Sequence, residues 1–257
     1  MLNVSPIHAF SDNYIWLIRS EDTDNRVAVV DPGDSEPVIE FLDNEKLELA
    51  AILITHHHGD HVGGVRELVA RFSVPVYGPA GESIPCRTTA LSGGDRLRIE
   101  DPDLRFEVLE VPGHTAGHIA FYGHGALFCG DTLFSAGCGR LFEGTPGQMS
   151  HSLDALAALP SATRVYCTHD YTVANLRFAT EVEPNNEALA AYSRKARIQR
   201  AGGKPTLPST LELEAKINPF LRCDQDTVRA AAERYCGRNL KDRVDVFAAI
   251  RAWKDEF

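Results

Sequence analysis

No stretch of the 257-residue sequence stays apolar for long enough to span a bilayer. The first residues, MLNVSPIHAFSDNY, lack the charged start and apolar run of a secretory signal, so the expectation is a soluble, cytoplasmic chain with no membrane partner. Basic residues are few beside acidic ones: 26 Lys and Arg against 36 Asp and Glu leave a formal net charge of −10. That balance argues against a nucleic-acid partner, because binding a phosphate backbone draws on clustered cations. The six cysteines, Cys86, Cys129, Cys138, Cys167, Cys223 and Cys236, include no C-x-x-C pair. Neither a zinc ribbon nor a small disulfide framework is suggested, and they read as mostly reduced thiols. Internal repeats and low-complexity tracts are absent as well.

What is present is apolar matter in two textures. Hydrophobic residues make up 44% of the chain, enough for a substantial core. In the first two thirds, short β-branched runs end abruptly at His, Asp or Gly; strands are predicted at 14–19, 26–30, 51–54, 74–77, 105–111, 118–122, 126–129 and 164–167. Helices are predicted at 61–72 and 147–159. After residue 169, amphipathic Ala/Glu/Arg-rich segments at 172–182, 186–201, 225–236 and 242–254 predict a helical appendage. Two Gly and two Pro make 202–208 a loop. The expected division is therefore 1–169 and 170–257.

Chemistry concentrates where an apolar strand, Ile52 to Ile54, empties into Thr55-His56-His57-His58-Gly59-Asp60-His61. Just past a strand the backbone is still extended, so His56 and His58 project to one side and His57 to the other. Asp60 and His61 fall at the turn into the next helix. Three more polar residues follow strands in the same way: His114 in VPGH, Asp131 in FCGD and His169 in VYCTHD. Any one of them alone is an ordinary turn or capping residue. Together they can supply His56, His58 and His114 to one metal ion and Asp60, His61 and His169 to another, with Asp131 bridging. Imidazole and carboxylate donors suit zinc first, with iron or manganese also compatible, and three ligands plus a shared carboxylate leave room for a bridging water. Two divalent ions, two aspartates and a hydroxide sum to a charge of about +1, able to polarise a carbonyl.

The run THHHGDH resembles the T-H-x-H-x-D-H signature of the metallo-β-lactamase superfamily, and the matches continue through PGHTAGH at 112–118 and GDTLF at 130–134. Within it the chain looks like glyoxalase II, the hydroxyacylglutathione hydrolases, through IHAFSDNYIWLI, GCGRLFEGT, HDYTVANLRFA and the closing RAWKDEF. The resemblance implies an α/β (α+β) fold, an αββα metallo-β-lactamase sandwich with a C-terminal all-helical domain that helps hold glutathione. It implies the same seven metal ligands, with Asp60, Asp131 and a bridging hydroxide at the catalytic centre, and a glutathione thioester as substrate. It places the substrate contacts at Arg140, Phe142, Tyr171, Arg251 and Lys254. Arg140 and Phe142 stand where some members have Lys and Tyr, which keeps one cation and loses one hydroxyl. The last ligand lies in Thr168-His169-Asp170-Tyr171, where the family more often shows Gly-His-Glu-Tyr.

The expected reaction is attack of hydroxide on the thioester carbonyl with departure of the glutathione thiolate, yielding glutathione and a 2-hydroxy acid such as D-lactate in methylglyoxal detoxification. A thiol pKa of about 8.5 removes the need for a general acid. Asp31 and His118 are predicted to orient ligands, and a turn or packing role is the alternative for each. Cys129 and Cys138 read as buried thiols, and His8, His57, His124 and His151 as structural or solvated. Rival readings are a one-iron persulfide dioxygenase, a lactonase, a β-lactamase, or a binding module that keeps metal for stability. A monomer is the expectation.

Overall fold

The computed structural model describes residues 2–20 and 25–257. The chain forms two compact units that alternate along the sequence, 1–110 with 116–130, and 111–115 with 131–257.

The first unit contains β1 (Asn3–Ala9), β2 (Asn13–Arg19), β3 (Arg26–Val30), α1 (Glu36–Glu45), β4 (Glu48–Leu53), α2 (Gly59–Val62), α3 (Val65–Phe72), β5 (Val76–Pro79), β6 (Thr89–Leu91), β7 (Arg96–Ile99), β8 (Leu104–Glu110), β9 (Ile119–Gly123) and β10 (Ala126–Gly130). Strands β1 to β6 form one sheet in sequence order. β1, β2 and β3 pair antiparallel, and β3 to β6 pair parallel. Alternate residues Ile15, Leu17, Val27, Val29, Ile52 and Ile54 pack with Val38 and Leu42 of α1 and Val65 and Leu68 of α3. Their neighbours Trp16, Ile18, Ala28, Ala51 and Leu53 are buried too. With both faces covered, these strands read as continuous apolar runs rather than alternating ones. β7 to β10 form an antiparallel meander.

Sequence and structure differ at definite places. β1 carries Pro6, which obscures it as a strand, but it is an edge strand, where a missing N–H is tolerated. The helix predicted over 61–72 is two helices, broken at Gly63 and Gly64. A Cβ on Gly64 would lie 2.5 Å from Ser35 N, and Gly64 N–H donates to Pro32 O at 3.0 Å, so the backbone here runs hard against the turn after β3. That turn contains Asp31, which takes a left-handed φ of 52°.

The second unit contains β11 (Leu133–Phe134), β12 (Gly137–Cys138), α4 (Pro146–Ala157), β13 (Arg164–Cys167), α5 (Thr172–Val182), α6 (Glu187–Ala201), β14 (Ser209–Thr210), α7 (Leu211–Ile217), α8 (Asp226–Cys236) and α9 (Arg243–Glu256). β11 and β12 make a small hairpin, and β13 pairs antiparallel with β14. Thr145 and Gln148 close a capping box at the start of α4, and Asn186 and Asp242 cap α6 and α9. Leu176 and Ala179 of α5 pack with Leu189, Tyr192 and Ala196 of α6 and Ile217 of α7. α7 escapes prediction because seven residues give too little periodicity. Among the described residues no helix is long and apolar enough to cross a membrane.

Candidate functional site

In the first unit the site grows from the end of β4. Thr55 and His56 are fully buried, as is His61 in the single turn of α2. The Asp31 carboxylate, 1% exposed, sits beneath them. It accepts the Thr55 N–H at 2.8 Å and the Thr55 hydroxyl at 2.7 Å. Because that hydroxyl proton goes to Asp31, the Thr55 oxygen accepts from His56 Nδ1 at 3.1 Å. His61 Nδ1 lies 3.1 Å from the same carboxylate. Asp31 therefore fixes the tautomer of His56 through Thr55, which directs the lone pair of its Nε2 outward, and packs its carboxylate against the His61 ring.

The Nε2 atoms of both rings face other polar ligand-type atoms. His56 Nε2 is 3.1 Å from His58 Nδ1, and His61 Nε2 is 3.6 Å from the Asp60 carboxylate. Asn13 Nδ2 donates to Asp60 Oδ2 at 3.1 Å and orients it. His118, fully buried, donates from Nδ1 to the Ile119 carbonyl at 3.0 Å and stacks on His56 with centroids 4.5 Å apart. His57 turns away from His56: its Nδ1 meets Glu82 at 2.9 Å, and the other Glu82 oxygen accepts the Gly117 N–H at 3.1 Å. Glu82 thus ties the loop after β4 to the loop before β9.

The second unit repeats the arrangement. His114 Nδ1 donates to the Arg140 carbonyl at 2.9 Å, which leaves the Nε2 lone pair 3.4 Å from Asp131 Oδ2. His169 Nε2 is also 3.4 Å from that oxygen. A lone pair set against a carboxylate is repulsive unless a cation lies between them. The donor chemistry of both units therefore fits metal ions. His56, His58, Asp60, His61, His114, Asp131 and His169 are the residues able to hold them.

The expected substrate contacts all fall in the second unit. Tyr171 stacks on His169 with centroids 4.7 Å apart and planes 3° apart, and Phe142, 63% exposed, meets the His114 ring edge-on at 5.2 Å. Arg140 Nε and Arg251 Nη2 share the Asp255 carboxylate at 3.5 and 3.0 Å. Arg251 is only 4% exposed, and its Nη1 donates to the Cys138 carbonyl at 2.9 Å. Lys254 Nζ lies 5.5 Å from the Phe178 ring centre. Burial, reinforced by the positive charge of Arg251, pulls the Lys254 ammonium down to about 8. Cys129 and Cys138 are buried, and Cys138 is pushed up by that burial.

Glu82 carries no motif signal, and Asn13 and Thr55 lie inside matched motifs whose spacing does not show what they do. Thr55 belongs to the His-rich run but shows its role only once Asp31, 24 residues earlier, is placed beside it.

Comparison with known proteins follows the same lines. The family model described as "Metallo-beta-lactamase superfamily" matches residues 10–169, and "Hydroxyacylglutathione hydrolase C-terminus" matches residues 170–257. A hydroxyacylglutathione hydrolase of Alkalilimnicola ehrlichii is 56% identical over 257 residues, spanning 100% of both chains. Among solved structures, ETHE1 from Myxococcus xanthus is similar with a TM-score of 0.68 and 25% identity, over 98% of this chain and 91% of that one. TTHA1623, crystallised in a di-iron-bound form, has a TM-score of 0.61 and 29% identity over 85% of this chain and 100% of its own.

Proposed function

We propose that this chain, which belongs to the hydroxyacylglutathione hydrolases of the metallo-β-lactamase superfamily, hydrolyses S-(2-hydroxyacyl)glutathione, with S-D-lactoylglutathione as the principal substrate. The observation that carries this reading is the match of residues 170–257 to the hydroxyacylglutathione hydrolase C-terminus. The metallo-β-lactamase module by itself supports several chemistries, and only the appended segment narrows the choice. The module 1–169 would do the chemistry and 170–257 would help hold glutathione.

His56, His58 and His114 would hold one divalent ion and Asp60, His61 and His169 a second, with Asp131 shared; zinc suits these donors, and iron or manganese also fit. When bound, such ions polarise a carbonyl and lower the pKa of water to near neutrality. The protein's own part is to aim the ligands: Asp31 and Thr55 hold His56, Asp31 holds His61, and the Arg140 carbonyl holds His114. The thioester's leaving thiolate has a pKa of about 8.5, so no side chain has to protonate it. Glutathione is anionic, and Arg140, Arg251 and Lys254 gather positive charge for it in a chain of net charge −10. Tyr171 and Phe142 offer apolar faces beside His169 and His114. All seven ligands come from one chain, consistent with action as a monomer. Six free cysteines fit a reducing, cytoplasmic setting.

The test is turnover of S-lactoylglutathione by the metal-loaded chain, measured beside an acyl thioester that lacks glutathione. Preference for the glutathione ester is expected. Equal rates would remove the substrate assignment, and oxygen uptake with a glutathione persulfide would replace it.

Lys254 supplies a pH signature. With its pKa lowered to about 8, the ammonium is present below that pH and lost above it, whereas an ordinary lysine would stay charged to about 10.4. KM for the thioester is expected to rise as pH passes 8 while kcat holds, and Lys254→Arg should delay the rise. A KM flat from pH 7 to 9.5 would show that Lys254 takes no part in binding.

A further inference from the structure

Glu214, on α7, is fully buried. Its Oε2 accepts the N–H of Ala136 at 2.8 Å and the Asn218 amide at 3.2 Å. Ala136 is the turn residue of the β11–β12 hairpin and has a left-handed φ of 56°, a conformation that a residue with a side chain keeps only when its surroundings impose it. Those surroundings are polar and buried. Asn218 Nδ2 donates to the Phe134 and Gly137 carbonyls at 3.0 and 2.9 Å, and Asn175 Nδ2 donates to the Ser135 carbonyl at 3.0 Å. Asn175 packs so closely that a Cβ on Gly137 would stand 2.6 Å from its amide nitrogen. Three side chains from the helical region thus hold the four-residue tip of the hairpin.

The other end of the hairpin leads into the site. Cys138 offers its carbonyl to Arg251, Gly139 N–H returns to Thr132 O at 3.3 Å, and the Arg140 carbonyl accepts from His114. A two-stranded hairpin with two paired residues per strand has little rigidity of its own. Its position is set by what grips the tip.

We propose that Glu214 is a positioning residue for the glutathione thioester: by holding the Ala136 turn it fixes the hairpin from which Arg140 departs and so aims that guanidinium at a substrate carboxylate. The proposal rests on the reading of Arg140 as a substrate contact. No cation pairs with Glu214 among the described residues, and burial raises its pKa. Glutamine should replace it well, since an amide keeps the acceptor oxygen and the size. Leucine keeps approximate size but leaves the Ala136 N–H buried with no acceptor.

The experiment uses the full-length metal-loaded chain, with S-lactoylglutathione kinetics and amide hydrogen exchange read at Ala136. Glu214→Gln is expected to keep KM within about twofold and the Ala136 amide protected, whereas Glu214→Leu should raise KM about tenfold, change kcat by less than about threefold and expose that amide. A merely structural loss would reduce the active fraction, lowering kcat and leaving KM alone. If the leucine variant does not fold, Asn175→Ala, which removes the brace on Ser135 and the packing on Gly137 but leaves Glu214 in place, carries the same expectation of raised KM at constant kcat. An unchanged KM in the folded leucine variant or in Asn175→Ala, or a glutamine variant as impaired as the leucine one, overturns the positioning role while the thioesterase reading stands. No turnover by the unsubstituted chain would remove both.

Discussion

Replacing Asp131 by alanine is expected to lower kcat by about a thousandfold, the equivalent of the several kcal/mol of charge stabilisation that a metal centre contributes. The second unit has one carboxylate oxygen, Asp131 Oδ2, facing both His114 Nε2 and His169 Nε2 at 3.4 Å. Without it, two imidazoles keep their direction but lose the anion that balances a cation between them. Metal content per chain, measured by elemental analysis after dialysis, should fall together with activity. Asp131→Asn separates charge from shape: an amide oxygen still fits the space, but carries no full charge to offset two dications. Full metal occupancy and near-normal kcat in the alanine variant would dismantle the assignment of Asp131 as the shared ligand.

The second large effect is expected at a residue that touches no metal. Asp31→Asn should weaken metal retention by about ten- to a hundredfold, the range found when a group that orients a ligand is lost. The native carboxylate accepts from the Thr55 hydroxyl and the Thr55 N–H, lies 3.1 Å from His61 Nδ1, and through Thr55 sets His56. Asparagine offers one acceptor oxygen where aspartate has two, and its amide group must donate, so at least one of these partners is lost. It tolerates the left-handed φ of 52° nearly as well as aspartate. The backbone strain that alanine would add is thereby avoided, and the change reads ligand orientation alone. Chelator competition on the purified chain measures it directly. Equal metal release rates for the aspartate and asparagine forms would mean that the turn after β3 only packs.

Much of this site was legible because its signals are local. Four imidazoles and a carboxylate within six residues, at the end of an apolar run, point to metal chemistry whatever surrounds them. β3, β13 and α5 begin and end where the pattern of their own residues predicts. The break in the helix after His61 was not legible, because Gly63 and Gly64 interrupt a pattern that otherwise continues, and only the approach of the Pro32–Ser35 turn shows why they are needed. Arg251 enters the reading of the sequence only as a substrate contact that the resemblance implies. In the fold it is buried, with Cys138 of the β11–β12 hairpin as its partner, 113 positions away.

By itself the amino-acid order determined the kind of donors, their grouping after strands, and the helical texture beyond residue 169, since each follows from periodicities of two and 3.6 residues and from short-range composition. Tertiary structure alone decided which nitrogen of each ring carries the proton. That choice depends on what Nδ1 meets, and for His114 the partner, the Arg140 carbonyl, arrives from 26 residues away along the chain. It also brought the Glu214 carboxyl group and the Asn218 and Asn175 amides under the β11–β12 turn, from 78, 81 and 40 positions away along the chain.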